Sequence, residues 1–251
     1  VNLIDTHCHL SFDPLLRDLE GVLARARESG VTRVLAPAYD LASWAIVREI
    51  SARTEVSPAY GLHPWRADEP LEIKALERAL SEGAVAVGEI GLDFKLDVPS
   101  RERQLEVLRL QLDVARGADL PVMLHCRGAF DELLAMLIER RGQLRGVVHA
   151  FARGPELARR FLDAGMHLAF GGAVTRPRAR RPRRSAQVAP SDRIVLETDA
   201  PSIGIEGVPP EQVEPRHVRA VAGALAELRD TTTDDIARST TANAQSLFDL
   251  E

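Results

Sequence analysis

Short runs of β-branched or apolar residues alternate with longer amphipathic stretches along the whole chain, eight times, at a spacing of about thirty residues. Strands repeat every two residues and helices every 3.6, so periodicity separates the two kinds of segment. Leu3-Ile4-Asp5-Thr6-His7 opens the series, and Leu15, Leu19, Val22 and Ala26 then recur at helical spacing until Gly30 stops the helix. The later strand-like runs are Val31 to Pro37, Val56 to His63, Ala84 to Glu89, Pro121 to His125, Gly146 to His149, Met166 to Phe170 and Arg193 to Asp199. Between them, Leu105, Leu108, Leu112 and Ala115 mark a long helix with Ser100 as its N-cap, and Phe130, Leu133, Leu134 and Leu137 share one face of another.

Eight such units in 251 residues have the size and rhythm of a TIM (β/α)8 barrel, and no low-complexity linker divides residues 1–251, which read as one domain. An open doubly wound sheet is the alternative. Against it, Gly88 and Gly91 bracket a glutamate and build no Gly-X-Gly-X-X-Gly phosphate cradle. A 45% apolar composition supplies the core, while a net charge of −5 offers no global attraction to nucleic acid or membrane. Any polyanion therefore has to be held locally. The two cysteines, Cys8 and Cys126, each sit beside a histidine and make no disulfide framework. No apolar run reaches the roughly 18 residues of a membrane span and no leader pattern precedes the first strand, so a cytoplasmic chain with no obligate protein partner is expected.

In such barrels the active site sits at the C-terminal ends of the strands. That rule selects His7, His9, His63, Glu89, His125, His149 and Asp199, which puts five of the seven histidines at one mouth. His7 and His9, two residues apart in extended chain, face one way and Cys8 the other. His167, at the start of its strand, belongs at the opposite end, and His217 lies near a helix start; both read as ordinary satisfied or solvated imidazoles. Four histidines (His7, His9, His125 and His149) and two carboxylates exceed what one divalent ion takes. The mixed nitrogen and oxygen set suits two ions bridged by a carboxylate, with Glu89 as the bridge between its two glycines. Two ions roughly 3.5–4 Å apart activate water and stabilise both oxygens of a phosphoryl displacement, so the chemistry implied is hydrolysis. Taken singly, Glu89 and Asp199 read equally well as ion-pair partners or caps.

Asp5-Thr6-His7-Cys8-His9, Gly61-Leu62-His63-Pro64, Gly88-Glu89-Ile90-Gly91-Leu92-Asp93, Pro121-Val122-Met123-Leu124-His125, Val148-His149-Ala150-Phe151 and Leu196-Glu197-Thr198-Asp199-Ala200-Pro201 resemble, in order, the motifs of the TatD family of metal-dependent hydrolases. The pattern of Gly171-Gly172, Thr175 and Arg178-Ala179 resembles its YjjV-like branch. The resemblance covers essentially the whole chain. It implies a TIM barrel of the amidohydrolase superfamily, a binuclear site for Mg or Mn, and deoxyribonuclease activity of the 3′ to 5′ exonuclease kind; the same donors also accept Zn or Ni. Carried across, it makes His7, His9, Glu89 and Asp199 ligands of one metal and Glu89, His125 and His149 ligands of the other. Glu89 and Asp199 become the catalytic pair, with Asp199 orienting or deprotonating the attacking water, and His63 and Arg127 contact a substrate phosphate. His63 equally fits a hydrogen bonder behind the ligands, and Arg127 a cap for the following helix.

Three departures from the family pattern stand out. Ala150 replaces the usual cysteine, at a position expected to alternate away from the metals. Val213-Glu214-Pro215 stands for Asn-Glu-Pro, and Ser202 for a frequent aromatic, both expected near the substrate edge. The stretch from Gly171 to Arg184 carries six arginines, Arg176, Arg178, Arg180, Arg181, Arg183 and Arg184. Such a basic loop after strand seven suits a nucleic-acid backbone, and suits equally a solvated helix start. The sequence thus points first to a two-metal phosphodiesterase acting on DNA or other nucleic acid. A superfamily hydrolase of a small phosphoester, amide or ester, including aminoacyl-RNA deacylation, comes second, and a metal-stabilised binding protein third.

Overall fold

The computed structural model describes residues 2–250, and within them eight parallel strands follow one another around a single sheet in chain order. The strands are β1 (Leu3–Asp5), β2 (Val31–Pro37), β3 (Val56–Tyr60), β4 (Ala86–Asp93), β5 (Val122–Arg127), β6 (Gly146–Val148), β7 (Met166–Phe170) and β8 (Ile194–Leu196). Helices α1 (Leu19–Glu28), α2 (Leu41–Ile50), α3 (Ile73–Ser81), α4 (Arg101–Ala118), α5 (Phe130–Glu139), α6 (Pro155–Asp163), α7 (Arg180–Val188) and α8 (Val218–Leu228) connect or follow them, and α9 (Thr233–Phe248) ends the series. This is the (β/α)8 barrel that the alternation of periods predicts. Its C-terminal rim is the expected mouth.

Closure between β1 and β8 uses irregular backbone beyond both strand ends. Thr6 N–H donates to Leu196 O at 2.9 Å, Asp199 N–H to His7 O at 2.8 Å and His9 N–H to Ala200 O at 2.8 Å. The Asp5 carboxylate reinforces the seam by accepting from Thr198 N–H (2.9 Å) and the Thr198 hydroxyl (2.6 Å).

Alternation along the strands sorts side chains between two cores. One residue from every strand (Ile4, Leu35, Ala59, Ala86, Met123, Val147, Ala169 and Val195) packs inside the barrel, together with Ala244, Leu247 and Phe248 of α9. That helix seals the end opposite the mouth. Thr241 donates its hydroxyl to Asn2 O, and the Asn243 amide donates to the carbonyls of Ser191 and Ile194, at the start of β8. His167 lies at this end, half-buried near the start of β7, as its position predicts. His217 accepts Glu214 N–H at 2.9 Å, a satisfied imidazole.

Strand boundaries differ from expectation at the mouth. β3 stops at Tyr60 and β8 at Leu196, so His63 and Asp199 lie in loops beyond the ladder, whereas β4 runs four residues past Glu89. The apolar pattern reports burial, and loops that build a site are buried too.

Phe248 is 1% exposed and fills the sealed end. Replacing it with alanine is expected to lower unfolding free energy by about 3–5 kcal/mol in urea titrations.

Candidate active site

The site is assembled around Glu89. The register of β4 against β5 shifts between Val87 and Ile90, a bulge that leaves Glu89 unpaired in that ladder and aimed at the barrel axis, with its N–H on Ala38 O at 3.0 Å. The glycines on either side are sterically required: a Cβ on Gly88 would meet Met123 Cβ at 2.4 Å and one on Gly91 would meet His125 O at 2.0 Å.

Each carboxylate oxygen of Glu89 faces its own imidazoles. Oε2 lies 3.2 Å from His7 Nε2 and 3.3 Å from His9 Nε2, and those two nitrogens are 3.3 Å apart. Oε1 lies 2.9 Å from His125 Nδ1 and 2.8 Å from His149 Nε2, themselves 3.2 Å apart. Asp199 completes the first group, with Oδ1 3.5 Å from His9 Nε2 and 3.9 Å from His7 Nε2. His63 Nε2 approaches Glu89 Oε1 at 3.3 Å. All six expected metal ligands are therefore brought together, all buried. Three groups among the described residues are able to hold an ion: His7, His9 and Glu89; His7, His149 and Asp199; and His63, Glu89 and His125, which places His63 among the possible donors.

The donor set fits divalent cations. A tetrahedral site with bonds of about 2.1 Å separates its donors by about 3.4 Å, close to the spacings within each group. Asp199 Oδ1 is buried with no hydrogen bond, the His9 imidazole standing 3.5 Å away to offset its charge, and a cation would satisfy it. The ionisation pattern agrees. Burial opposes charge on Glu89, yet His149, His63 and His7 around it hold its carboxyl well below the usual range. Burial takes His7 and His63 down to about 4, while for His9 and His149 burial is outweighed by facing carboxylates, which raise them to about 10 and about 9.

Behind these donors stands a row of carboxylates. Asp93 Oδ2 lies 3.4 Å from His125 Nε2 and accepts Trp65 Nε1–H at 2.8 Å and Arg127 NH1 at 3.2 Å. Glu197 accepts the Ala150 N–H and lies 4.0 Å from His149 Nδ1, and burial pushes its carboxyl up to about 8. Two buried glutamines of α4 hold the loops in place. Gln104 clamps Asp93, accepting its N–H at 2.8 Å and donating to its carbonyl at 3.1 Å; Gln111 does the same for Leu62, at 2.7 and 3.0 Å, beside His63. Asp93 and Glu197 were not among the expected site residues. Asp93 is four positions beyond Glu89 on β4, and Glu197 two before Asp199 in the loop past β8, so an even spacing from a selected acid is the signal that each carries.

His9, Glu89, His125, His149 and Asp199 floor a cavity of about 380 Å³ whose walls include Phe12, Tyr39, Trp65 and Arg127, while His7 lies beneath it. Phe12 stacks on His9, their rings 4.7 Å apart. Arg127 reaches the rim with its side chain 55% exposed and pairs with Asp93, and Ala129 rather than Arg127 is the N-cap of α5.

Two expectations are corrected. Ala150 does not alternate away: β6 ends at Val148, the chain turns left-handed at Ala150 (φ 47°), and this residue lines the cavity. Val213 is fully buried in the outer core and Glu214 pairs with Arg25 of α1 at 2.9 Å, so only Ser202 of the two changed segments borders the cavity. Among the six arginines after β7 none lines it; Arg176 and Arg183 donate to the carbonyls of Gly204 and Val174.

A family model described as TatD related DNase matches residues 4–249. The chain belongs to the TatD family. This TatD-family chain is 37% identical to an uncharacterized metal-dependent hydrolase, YjjV, of Escherichia coli strain K12, over 98% of each protein. The crystal structure of that TatD homologue matches with a TM-score of 0.94 at 35% identity, covering 99% of this chain and 98% of that one. Human deoxyribonuclease TATDN3 is 30% identical over 99% of this chain and 95% of its own. No helix among the described residues is long and apolar enough to cross a membrane.

Two outcomes follow. His9 and His149, raised to about 10 and about 9, retain protons at pH 7 in the metal-free protein. A cation competes with those protons, so loading at pH 7 should release them and apparent affinity should climb as pH rises. Calorimetric titration of Mn in buffers of different ionisation enthalpy measures the release, and a buffer-independent enthalpy would contradict this ionisation pattern. Asp93→Asn, which weakens the grip on His125, is expected to lower metal affinity roughly 10–100-fold while leaving the circular dichroism unchanged.

Proposed function

We propose that this TatD-family metal-dependent hydrolase is a two-metal phosphodiesterase that removes nucleotides from the 3′ end of DNA. The observation that carries the reading is Glu89, whose two oxygens face separate sets of imidazoles at 2.8–3.3 Å, His7 and His9 on one side and His125, His149 and His63 on the other, as a carboxylate shared by two ions would. His7, His9 and Asp199 would hold one ion with Glu89, and His125 and His149 the other. Mg or Mn is the assigned cofactor, and Zn or Ni suits the same donors. Divalent ions supply positive charge to a phosphoryl group and acidify a water nucleophile.

The remaining steps belong to side chains. Asp199 borders the cavity with one oxygen unpaired and is the base that orients the attacking water and takes its proton. His63 accepts the Trp65 backbone N–H on Nδ1 at 3.1 Å, which in the neutral ring places the proton on Nε2, facing Glu89 Oε1 at 3.3 Å, and a substrate phosphate would have to compete with that carboxylate for it. Arg127 offers a forked donor at the rim. Trp65, 46% exposed, with Phe12 and Tyr39, supplies faces for an unpaired base, and base stacking on aromatics tolerates any sequence. The names of the family model and of the human relative support DNA as substrate.

A second reading draws on the cavity itself. Its volume of about 380 Å³ also suits a small phosphoester, amide or ester, including the ester of an aminoacyl-RNA end.

The test uses 5′-labelled single-stranded DNA and chelator-treated protein with Mg or Mn restored. Wild type is expected to shorten the strand stepwise from its 3′ end, more slowly as salt rises, and Glu89→Ala to leave it intact. No cleavage by folded, metal-loaded wild type would overturn the DNA reading and turn the search to small esters and acylated RNA.

A further inference from the structure

A second cavity, of about 440 Å³, opens beside the first and shares Cys126, Arg127, His149 and Ala150 with it. Its charged lining residues are Lys95, Arg127 and Arg153, with no carboxylate. In a chain of net charge −5, three cations converging next to an expected metal centre form a local inversion of sign.

The cations are held in position by different means. Lys95 follows directly on Asp93, whose Oδ1 accepts the Lys95 N–H at 3.0 Å, and its stem crosses Gly128, where a Cβ would sit 3.3 Å from Lys95 Cε. Arg153 lays its guanidinium 4.6 Å over the Phe130 ring, and its carbonyl accepts the Ser185 hydroxyl at 2.7 Å. Among the described residues neither Lys95 nor Arg153 pairs with a carboxylate, whereas Arg127 shares its charge with Asp93. The acidic residues in the first turn of α5, Asp131 and Glu132, lie outside the lining, and Asp131 is paired with Arg160 at 2.8 Å.

Resting on the nuclease reading, we infer that this cavity is a subsite for a second phosphate of the substrate, next along the strand to the one being cut. Two ions at Glu89 would neutralise the reacting phosphate. Unpaired cations displaced to one side of it serve a different anion, and a polynucleotide presents one at every residue. The arginines after β7, two of them committed to backbone carbonyls, are not needed for that contact.

The test compares metal-loaded wild type with the Lys95→Gln/Arg153→Gln double variant, its fold checked by circular dichroism. Calorimetry of thymidine 3′,5′-bisphosphate against the two thymidine monophosphates is expected to show about a tenfold preference for the bisphosphate in wild type and none in the variant. Removing the two cations should also flatten the log–log salt dependence of single-stranded DNA binding by about 0.7 per charge. KM for a trinucleoside diphosphate, set against a dinucleoside monophosphate with a terminal phosphate, identifies whether a diester or a terminal monoester fills the subsite. Equal binding of mono- and bisphosphate by wild type, or a preference that survives in the variant, overturns the inference. If DNA is not cleaved yet the preference exists and is lost in the variant, the subsite stands and the nuclease reading falls.

Discussion

Barrel closure and site assembly are one event in this protein. The first and last strands meet beyond their regular ladders, where Asp199 N–H bonds to His7 O, His9 N–H to Ala200 O, and the Asp5 carboxylate grips Thr198. These residues are proposed metal donors or lie within two positions of one. His7, His9 and Asp199 owe their convergence to this seam, and Glu89 reaches them from the opposite side of the barrel through a bulge and two glycines that admit no side chain. Asp199 and Ala150 both sit in left-handed backbone, at φ 53° and 47°, strain held at the site by the surrounding hydrogen bonds.

Support for this convergence is layered outward. Imidazoles face the shared carboxylate, Asp93 and Glu197 back the imidazoles, and Gln104 of α4 fixes the backbone that carries Asp93. Each layer satisfies polar groups that burial would otherwise leave costly. At the centre itself Asp199 Oδ1 is left without a hydrogen bond, and a cation bound there would convert that electrostatic liability into folding free energy.

Much of this was legible in the residues. The strand-then-helix alternation predicts the barrel, and the rule that chemistry sits at strand C-termini selects every donor that converges. Legibility failed where backbone leaves the ladder. Ala150 follows the end of β6, so alternation no longer applies to it, and Val213-Glu214-Pro215 folds back on α1 because Glu214 meets Arg25. Gln104 and Gln111 went unread for another reason: the apolar stripe of α4 was traced through leucines, and a glutamine whose amide pairs with a backbone amide is buried as readily as a leucine. Asp93 and Glu197 escaped notice because each shares a segment with a more conspicuous acid.

The two tryptophans divide between the scaffold and the mouth. Trp44 is 8% exposed and donates to Gly61 O, while Trp65 stands half in water and donates to the same Asp93 oxygen that faces His125. One indole is therefore wired through a single carboxylate to a donor of the proposed centre, and the other is sequestered in apolar surroundings. The molecule thus carries the parts of an optical gauge: an exposed indole bonded to that carboxylate, and a buried one in α2 to serve as an internal standard.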